Sequence, residues 1–84
     1  PYDYLILLNK LKQHNINIDE IKNFYFHKNK RWDLNFYNNI SLKLPNKNID
    51  NSIKLFKKLQ NSNRFNSYTV FDLRVPNRII LKNE

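Results

Sequence analysis

The stretch Arg31-Trp32-Asp33-Leu34-Asn35-Phe36, followed by Tyr37-Asn38-Asn39 and then Ile40-Ser41-Leu42-Lys43-Leu44-Pro45, decides the fold. Trp32, Leu34 and Phe36 alternate with Arg31, Asp33 and Asn35, and Ile40, Leu42 and Leu44 alternate with Ser41 and Lys43. A repeat of two residues is the signature of a half-buried strand. Between the two runs stands Asn38-Asn39, and Asn is the residue that best tolerates left-handed backbone when Gly is missing. The stretch therefore predicts two strands joined by a tight hairpin, with Pro45 ending the second.

Working outward, Ile21 to Phe26 carries the same period, Phe24 and Phe26 alternating with Asn23 and Tyr25, and a turn near Lys28-Asn29-Lys30 joins it to the strand of Trp32. Upstream, Tyr4, Leu8 and Leu11 recur at helical spacing, which predicts a helix over about 3–13 with Asp3 as its N-cap. Downstream, Asn48 is the expected cap of a second helix. Its stripe is Ile49, Ile53, Phe56 and Leu59, its wet face Lys54, Lys57 and Lys58, and its end the polar run Asn61-Ser62-Asn63.

The last quarter returns to period two. Thr69, Phe71, Leu73 and Val75 fall on one face, Tyr68, Val70, Asp72 and Arg74 on the other, and a Pro76-Asn77 turn leads to a final strand over 78–82. The element order is α-β-β-β-α-β-β. Two single-striped helices must bury their stripes on a shared sheet face, so the fold class is α+β: an antiparallel β-sheet of about five strands with two packed α-helices.

Eighty-four residues make a single domain, 1–84. There is no Cys for disulfides or thiolate zinc sites and no Gly for a phosphate-cradling loop, which argues against nucleotide-dependent chemistry. The longest apolar run, Tyr4-Leu5-Ile6-Leu7-Leu8, is far short of a membrane-spanning helix. The chain opens on Pro1 without Met, so it is expected to be a processed or excised piece.

Fifteen Lys and Arg against seven Asp and Glu give a formal charge of +8, which raises nucleic acid or an anionic membrane surface as partner. The chain also holds 16 Asn, 11 Lys and 9 Ile and no Ala, a usage that follows A/T-rich codons, so part of the charge reflects mutational bias. Aromatics interleaved with basic residues, Phe24-Tyr25-Phe26-His27-Lys28 and Lys30-Arg31-Trp32, would suit base stacking, yet alternate aromatics facing a core write the same text. A small basic nucleic-acid-binding domain is the alternative reading.

His14 and His27 have no partner at metal-ligand spacing and read as surface histidines. Asp3 reads as a cap, Asp19-Glu20 as a loop or strand entry, and Asp33, Asp50 and Asp72 as carboxylates set beside basic residues or in a helix's first turn. None of the four serines has the flanking glycines of a nucleophile elbow. No enzyme, cofactor or metal is expected.

The closing run Arg78-Ile79-Ile80-Leu81-Lys82 is more informative, because three consecutive apolar residues cannot all hide on one face. Either the strand is central and covered on both faces, or it is an edge able to template a strand from another chain, with Arg78 and Lys82 as charged edge protection in the absence of a partner.

Taken as an ordered set, Arg31-Trp32-Asp33-Leu34, Asn38 to Pro45, a helix, and Phe71-Asp72-Leu73-Arg74-Val75-Pro76-Asn77-Arg78 resembles the C-terminal β domain of the FtsQ/DivIB family of bacterial cell-division proteins, from about Ile21 to Leu81. The resemblance implies a single-pass protein of the bacterial inner membrane whose transmembrane helix and POTRA domain lie outside this chain, with this β domain in the periplasm. The piece would be most of that domain, the family having further strands ahead of the first helix.

It also implies a non-catalytic divisome scaffold that binds the FtsB/FtsL pair by β-strand addition at its last strand, with no cofactor and no nucleic acid. Carried onto this sequence, the partner-binding positions are Arg74, Val75, Arg78, Ile79, Ile80, Leu81 and Lys82, with Lys54 and Lys57 as weaker contacts. Two departures stand out: Asn38-Asn39 replaces the family's frequent Asn-Gly, and this chain stops at Glu84 where many members continue.

Overall fold

A computed structural model describes Tyr2–Glu84. Its elements run α1 (Tyr2–Gln13), β1 (Ile21–Phe26), β2 (Trp32–Phe36), β3 (Ser41–Lys43), α2 (Ile49–Gln60), β4 (Val70–Asp72) and β5 (Ile80–Lys82), with single 3-10 turns at Ile18–Glu20 and Phe65–Ser67. This is the expected α+β order.

The five strands lie side by side in chain order. Three pairings are antiparallel, but β3 and β4 run parallel, so the sheet is mixed rather than wholly antiparallel. The cause is the connection: β3 reaches β4 through the long crossover carrying α2, and a crossover of that length returns the chain to the same end of the sheet.

Register places Phe24, Leu34, Leu42, Phe71 and Leu81 opposite one another, one from each strand, on a single face. Leu34, Leu42 and Phe71 are wholly buried there. Both helices cover that face. Tyr4 of α1 packs edge-on to Phe24, ring centroids 5.1 Å apart, and Phe56 of α2 meets Phe36 at 5.6 Å and Phe71 at 5.5 Å. Lys10 of α1 and His14, just past its end, both reach Asp50 of α2, the histidine at 3.2 Å. Lys57 Nζ donates to the Asn15 carbonyl at 3.0 Å, tying the end of α1 to α2.

Local details depart from the periodic reading. Helix α1 begins at Tyr2, so Asp3 sits in its first turn instead of capping it, and the buried stripe runs through Leu7 and Leu11 with Leu8 beside it. A carboxylate in the first turn still favours the helix dipole. Asn48 occupies the cap position of α2, but with φ 55° its side chain makes no capping bond.

Both hairpins use one design. Lys30 N–H donates to His27 O and His27 N–H to Arg31 O, and the same pattern recurs as Asn39 to Phe36 and Phe36 to Ile40. These are three-residue loops whose last residue is left-handed, Lys30 at φ 63° and Asn39 at φ 70°. Within Asn38-Asn39, then, only the second residue takes the unusual conformation.

The later strands are shorter than their alternation suggests. β4 ends at Asp72 and Val75 is 48% exposed, because the chain bends into a turn with Pro76 second and Asn77 third at φ 60°, a type II arrangement closed by Arg78 N–H to Val75 O. The final strand consequently starts at Ile80 and not at Arg78.

Candidate partner-binding edge

β5 pairs with β4 alone: Val70 opposite Lys82, Phe71 opposite Leu81, Asp72 opposite Ile80. No strand lies on its other flank among the described residues, so of the two readings of the closing segment the structure selects the edge. β1 is the second edge of the sheet.

Along β5 the alternation gives each side chain a different setting. Leu81 points to the helix face, half-buried against the core, while Ile80 is half-buried on the open face beside Asp72. Lys82 is exposed, as are Arg78 and Ile79 in the arm leading in from the turn. Under Leu81 opens a shallow apolar cleft of about 270 Å³ whose walls include Leu59, Phe65, Tyr68 and Phe71. Sequence periodicity could not show this cleft, since Phe65 and Tyr68 lie in irregular chain between α2 and β4.

Arg74 follows β4 by two residues and is already engaged. Its backbone N–H and Nε donate to Asp72 Oδ1 at 3.1 and 2.9 Å, and Nη2 donates to Oδ2 at 2.6 Å. The Asp72 side chain is 4% exposed, that of Arg74 44%. The Arg74 bonds, against the opposing effect of burial, hold the Asp72 carboxyl below its ordinary range, and the Lys43 charge adds to this. Arg74 is thus a fixed guanidinium with one side gripped and the other wet.

The weaker pair divides. Lys54 is exposed on α2 and makes no ion pair among the described residues, whereas Lys57 spends its ammonium on the Asn15 carbonyl and is a tie within the fold. Arg74, Val75, Arg78, Ile79, Ile80, Leu81 and Lys82 all lie on β5 or on the turn that feeds it; Lys54 and Lys57 belong to a different element.

The open face also weighs on the nucleic-acid reading. Phe24 and Trp32 turn inward around Tyr4, leaving Tyr25 as the one aromatic of that segment on the open face. Its row continues Asp33, Lys43, Asp72 and Ile80, which offers no second aromatic on which a neighbouring base could stack.

Neither histidine stands alone. His27 Nε2 lies 2.8 Å from Asp33 Oδ2, and Arg31 Nη1 donates to Asp33 Oδ1 at 2.5 Å and to Leu44 O at 3.2 Å. Burial pushes the Asp33 carboxyl up, but the hydrogen bonds from Arg31 and His27 outweigh it and the group rests below its ordinary value. No group of three metal-ligating side chains occurs among the described residues.

The family described as "Cell division protein FtsQ/DivIB, C-terminal" matches residues 2–74. The chain belongs to the FtsQ/DivIB family. It is 42% identical over 55 residues to the cell division protein FtsQ of Rickettsia conorii and 40% identical to that of Rickettsia prowazekii, in each case over 63% of this chain and 21% of the relative. The aligned part is thus about a fifth of the curated FtsQ relatives' length. No solved structure matches. The family match takes in α1 and ends at Arg74, so in this FtsQ/DivIB chain the turn and β5 lie beyond it.

Proposed function

We propose that this chain forms most of the C-terminal β domain of a non-catalytic cell-division scaffold, which holds FtsB/FtsL-type partners by strand addition to β5. The whole protein would be anchored in the inner membrane by a single helix outside this chain, with the domain in the periplasm. Membership of a cell-division family supports the role, and one observation carries the mode: β5 has a strand on one flank only, with Ile80 and Leu81 half-buried beside it.

An exposed edge offers main-chain donors and acceptors for affinity and alternating side-chain positions for selection. Pairing would run over Ile80–Lys82, shorter than a full 78–82 ladder, with the Arg78–Ile79 arm in reach of its end. A visiting residue opposite Leu81 would point into the cleft of Leu59, Phe65, Tyr68 and Phe71, which suits a large apolar group. Opposite Lys82, or near Arg74 and Arg78, acidic groups fit. Three residues bury little surface, so the apolar anchor sets the dissociation rate and the rim charges set association and its salt dependence.

The test is affinity for the soluble coiled-coil part of the FtsB-type protein from the same bacterium. Ile80→Pro removes a backbone donor turned toward Asp72 of β4, which unseats the edge strand, and should abolish binding while helical circular dichroism persists. Lys54→Ala should leave affinity within a few-fold. Unchanged affinity in Ile80→Pro would eliminate strand addition, and a loss confined to Lys54→Ala would move the interface to α2.

A further inference from the structure

One end of the sheet gathers three loops. β1 leaves at Phe26 into the turn 27–31, β3 leaves at Lys43 into Leu44–Asn48, and β4, parallel to β3, leaves at Asp72 into the arm 73–79. Asn46 Nδ2 donates to Asn29 O, joining the first two loops, and Pro45 to Asn48 share a cleft with Arg74, Pro76 and Asn77, joining the second to the third.

Exposed Lys28, Lys30, Lys47 and Arg78 stand on these loops, and none makes an ion pair among the described residues. The carboxylates facing this end from the sheet are already neutralised, Asp33 by Arg31 and His27, Asp72 by Arg74. Asp50, in the first turn of α2 just past the second loop, is likewise engaged by Lys10 and His14, and Asp3 of α1 is the other acid near that end, across a cleft from Lys30. The other exposed acids are at the opposite end: Glu20, whose carbonyl accepts from Tyr37 N–H in the β2–β3 turn, its neighbour Asp19, and Glu84 beside Thr69.

Large apolar side chains crowd the same end. Phe26 is 49% exposed and Ile79 45%, with Val75 similarly open. Cations interspersed with exposed apolar tips on adjoining loops are what an anionic bilayer surface recognises: headgroups meet the ammonium and guanidinium groups, and the tips enter the acyl boundary. A polynucleotide would use the cations and leave the apolar tips in water.

We infer that the loop end carrying Lys28, Lys30, Lys47 and Arg78, with Phe26, Val75 and Ile79, is a docking surface for anionic phospholipid bilayers. Each cation brought to such a surface strengthens partition roughly fivefold, so three together contribute about a hundredfold. The surface shares Val75, Arg78 and Ile79 with the arm that leads into β5, whereas Lys28, Lys30 and Lys47 are remote from β5 in the chain and lie outside its ladder, so those three lysines separate it from strand addition.

The experiment is co-sedimentation of the chain with vesicles of phosphatidylglycerol and phosphatidylcholine, against phosphatidylcholine alone. Two triple variants lose the same charge: Lys28→Gln/Lys30→Asn/Lys47→Gln at the loop end, and Lys12→Gln/Lys54→Gln/Lys58→Gln on the outer helix faces. The first should weaken binding to the mixed vesicles about a hundredfold and the second far less. Val75→Ser/Ile79→Ser should remove the part of the binding that survives high salt, and Ile80→Pro should leave vesicle binding intact. Equal weakening by the two triple variants, absence of binding to mixed vesicles, or retention on DNA without vesicle binding would each overturn the inference.

Discussion

Arg74 closes three hydrogen bonds onto the carboxylate of Asp72, two residues behind it, through its own backbone N–H, Nε and Nη2. Because residues i and i+2 share a face at a strand end, the pair needs no help from another element. Asp72 pairs in register with Ile80 of β5, so the grip holds a charged group in place at the mouth of the open edge. Asp72→Asn should cost about 1–3 kcal/mol, since hydrogen bonds to a charged group are the stronger ones and the amide cannot accept all three donors. Chemical denaturation measures this. If partner binding needs an oriented Arg74, affinity should fall in Asp72→Asn more than the stability loss alone accounts for.

Acid should loosen the protein through the same group. Asp72, Asp33 and Asp50 all titrate below their ordinary value of 3.8 in the folded chain, held down by Arg74, by Arg31 and His27, and by Lys10 and His14. A carboxylate whose folded pKa is depressed contributes stability that is fully present above its unfolded pKa and is lost as pH falls through that value toward the folded one. Melting temperature should therefore hold steady down to the ordinary carboxylate range and decline below it. The decline should be shallower in Asp72→Asn.

The hairpin loops offer a gain. Lys30 adopts φ 63° with a β-carbon that clashes with the following carbonyl, at a cost of about 1–2 kcal/mol for most residues. Lys30→Asn keeps a side chain while easing that cost, and should raise stability by about 0.5–1 kcal/mol. Lys30→Gly should gain less than the relief of strain, because glycine also frees the unfolded chain. Thermal unfolding of the three proteins ranks them, and a lower stability for the asparagine variant would argue against this turn geometry.

Phe56 is the keystone of the helix face, wholly buried and in contact with Phe36, Phe65 and Phe71. Phe56→Ala should cost about 3–5 kcal/mol, transfer and cavity combined, a large share of what a domain of this size has. By contrast Lys57→Ala, losing an exposed bond to Asn15 O and a long one to Gln60 Oε1, should cost at most about 1 kcal/mol in urea titration.

How much of this could be read from residues alone varies by element. The β2–β3 hairpin was legible because Leu34, Leu42 and their neighbours alternate without interruption and one face is fully buried, so a slip of one residue would expose the set. α2 was legible for the same reason at helical spacing. β5 was not legible in its extent, because Arg78 and Ile79 favour strand by composition, yet the turn at Pro76-Asn77 spends them on the return path. Phe26 continues the alternation of β1 but lies at the end of its strand, where an open cleft separates it from Ile6 and Ile49 of the helices, and half its surface stays wet. The Asn48 cap failed at the level of backbone: left-handed geometry turns its side chain away from the amides it would otherwise accept from. The grip of Asp72 on Arg74 is a matter of distances, and residue order alone does not supply those.

The brevity of β5 has a kinetic side. Three rungs held to a single neighbour form a unit that opens by local fluctuation at little cost, well below the free energy needed to unfold β2 or β3. Amide protons there should exchange with solvent early, and a visiting chain would meet a ribbon that is repeatedly lifting and resettling. Capture would then slow that exchange, so protection arriving at Ile80–Lys82 is the earliest trace a bound guest would leave.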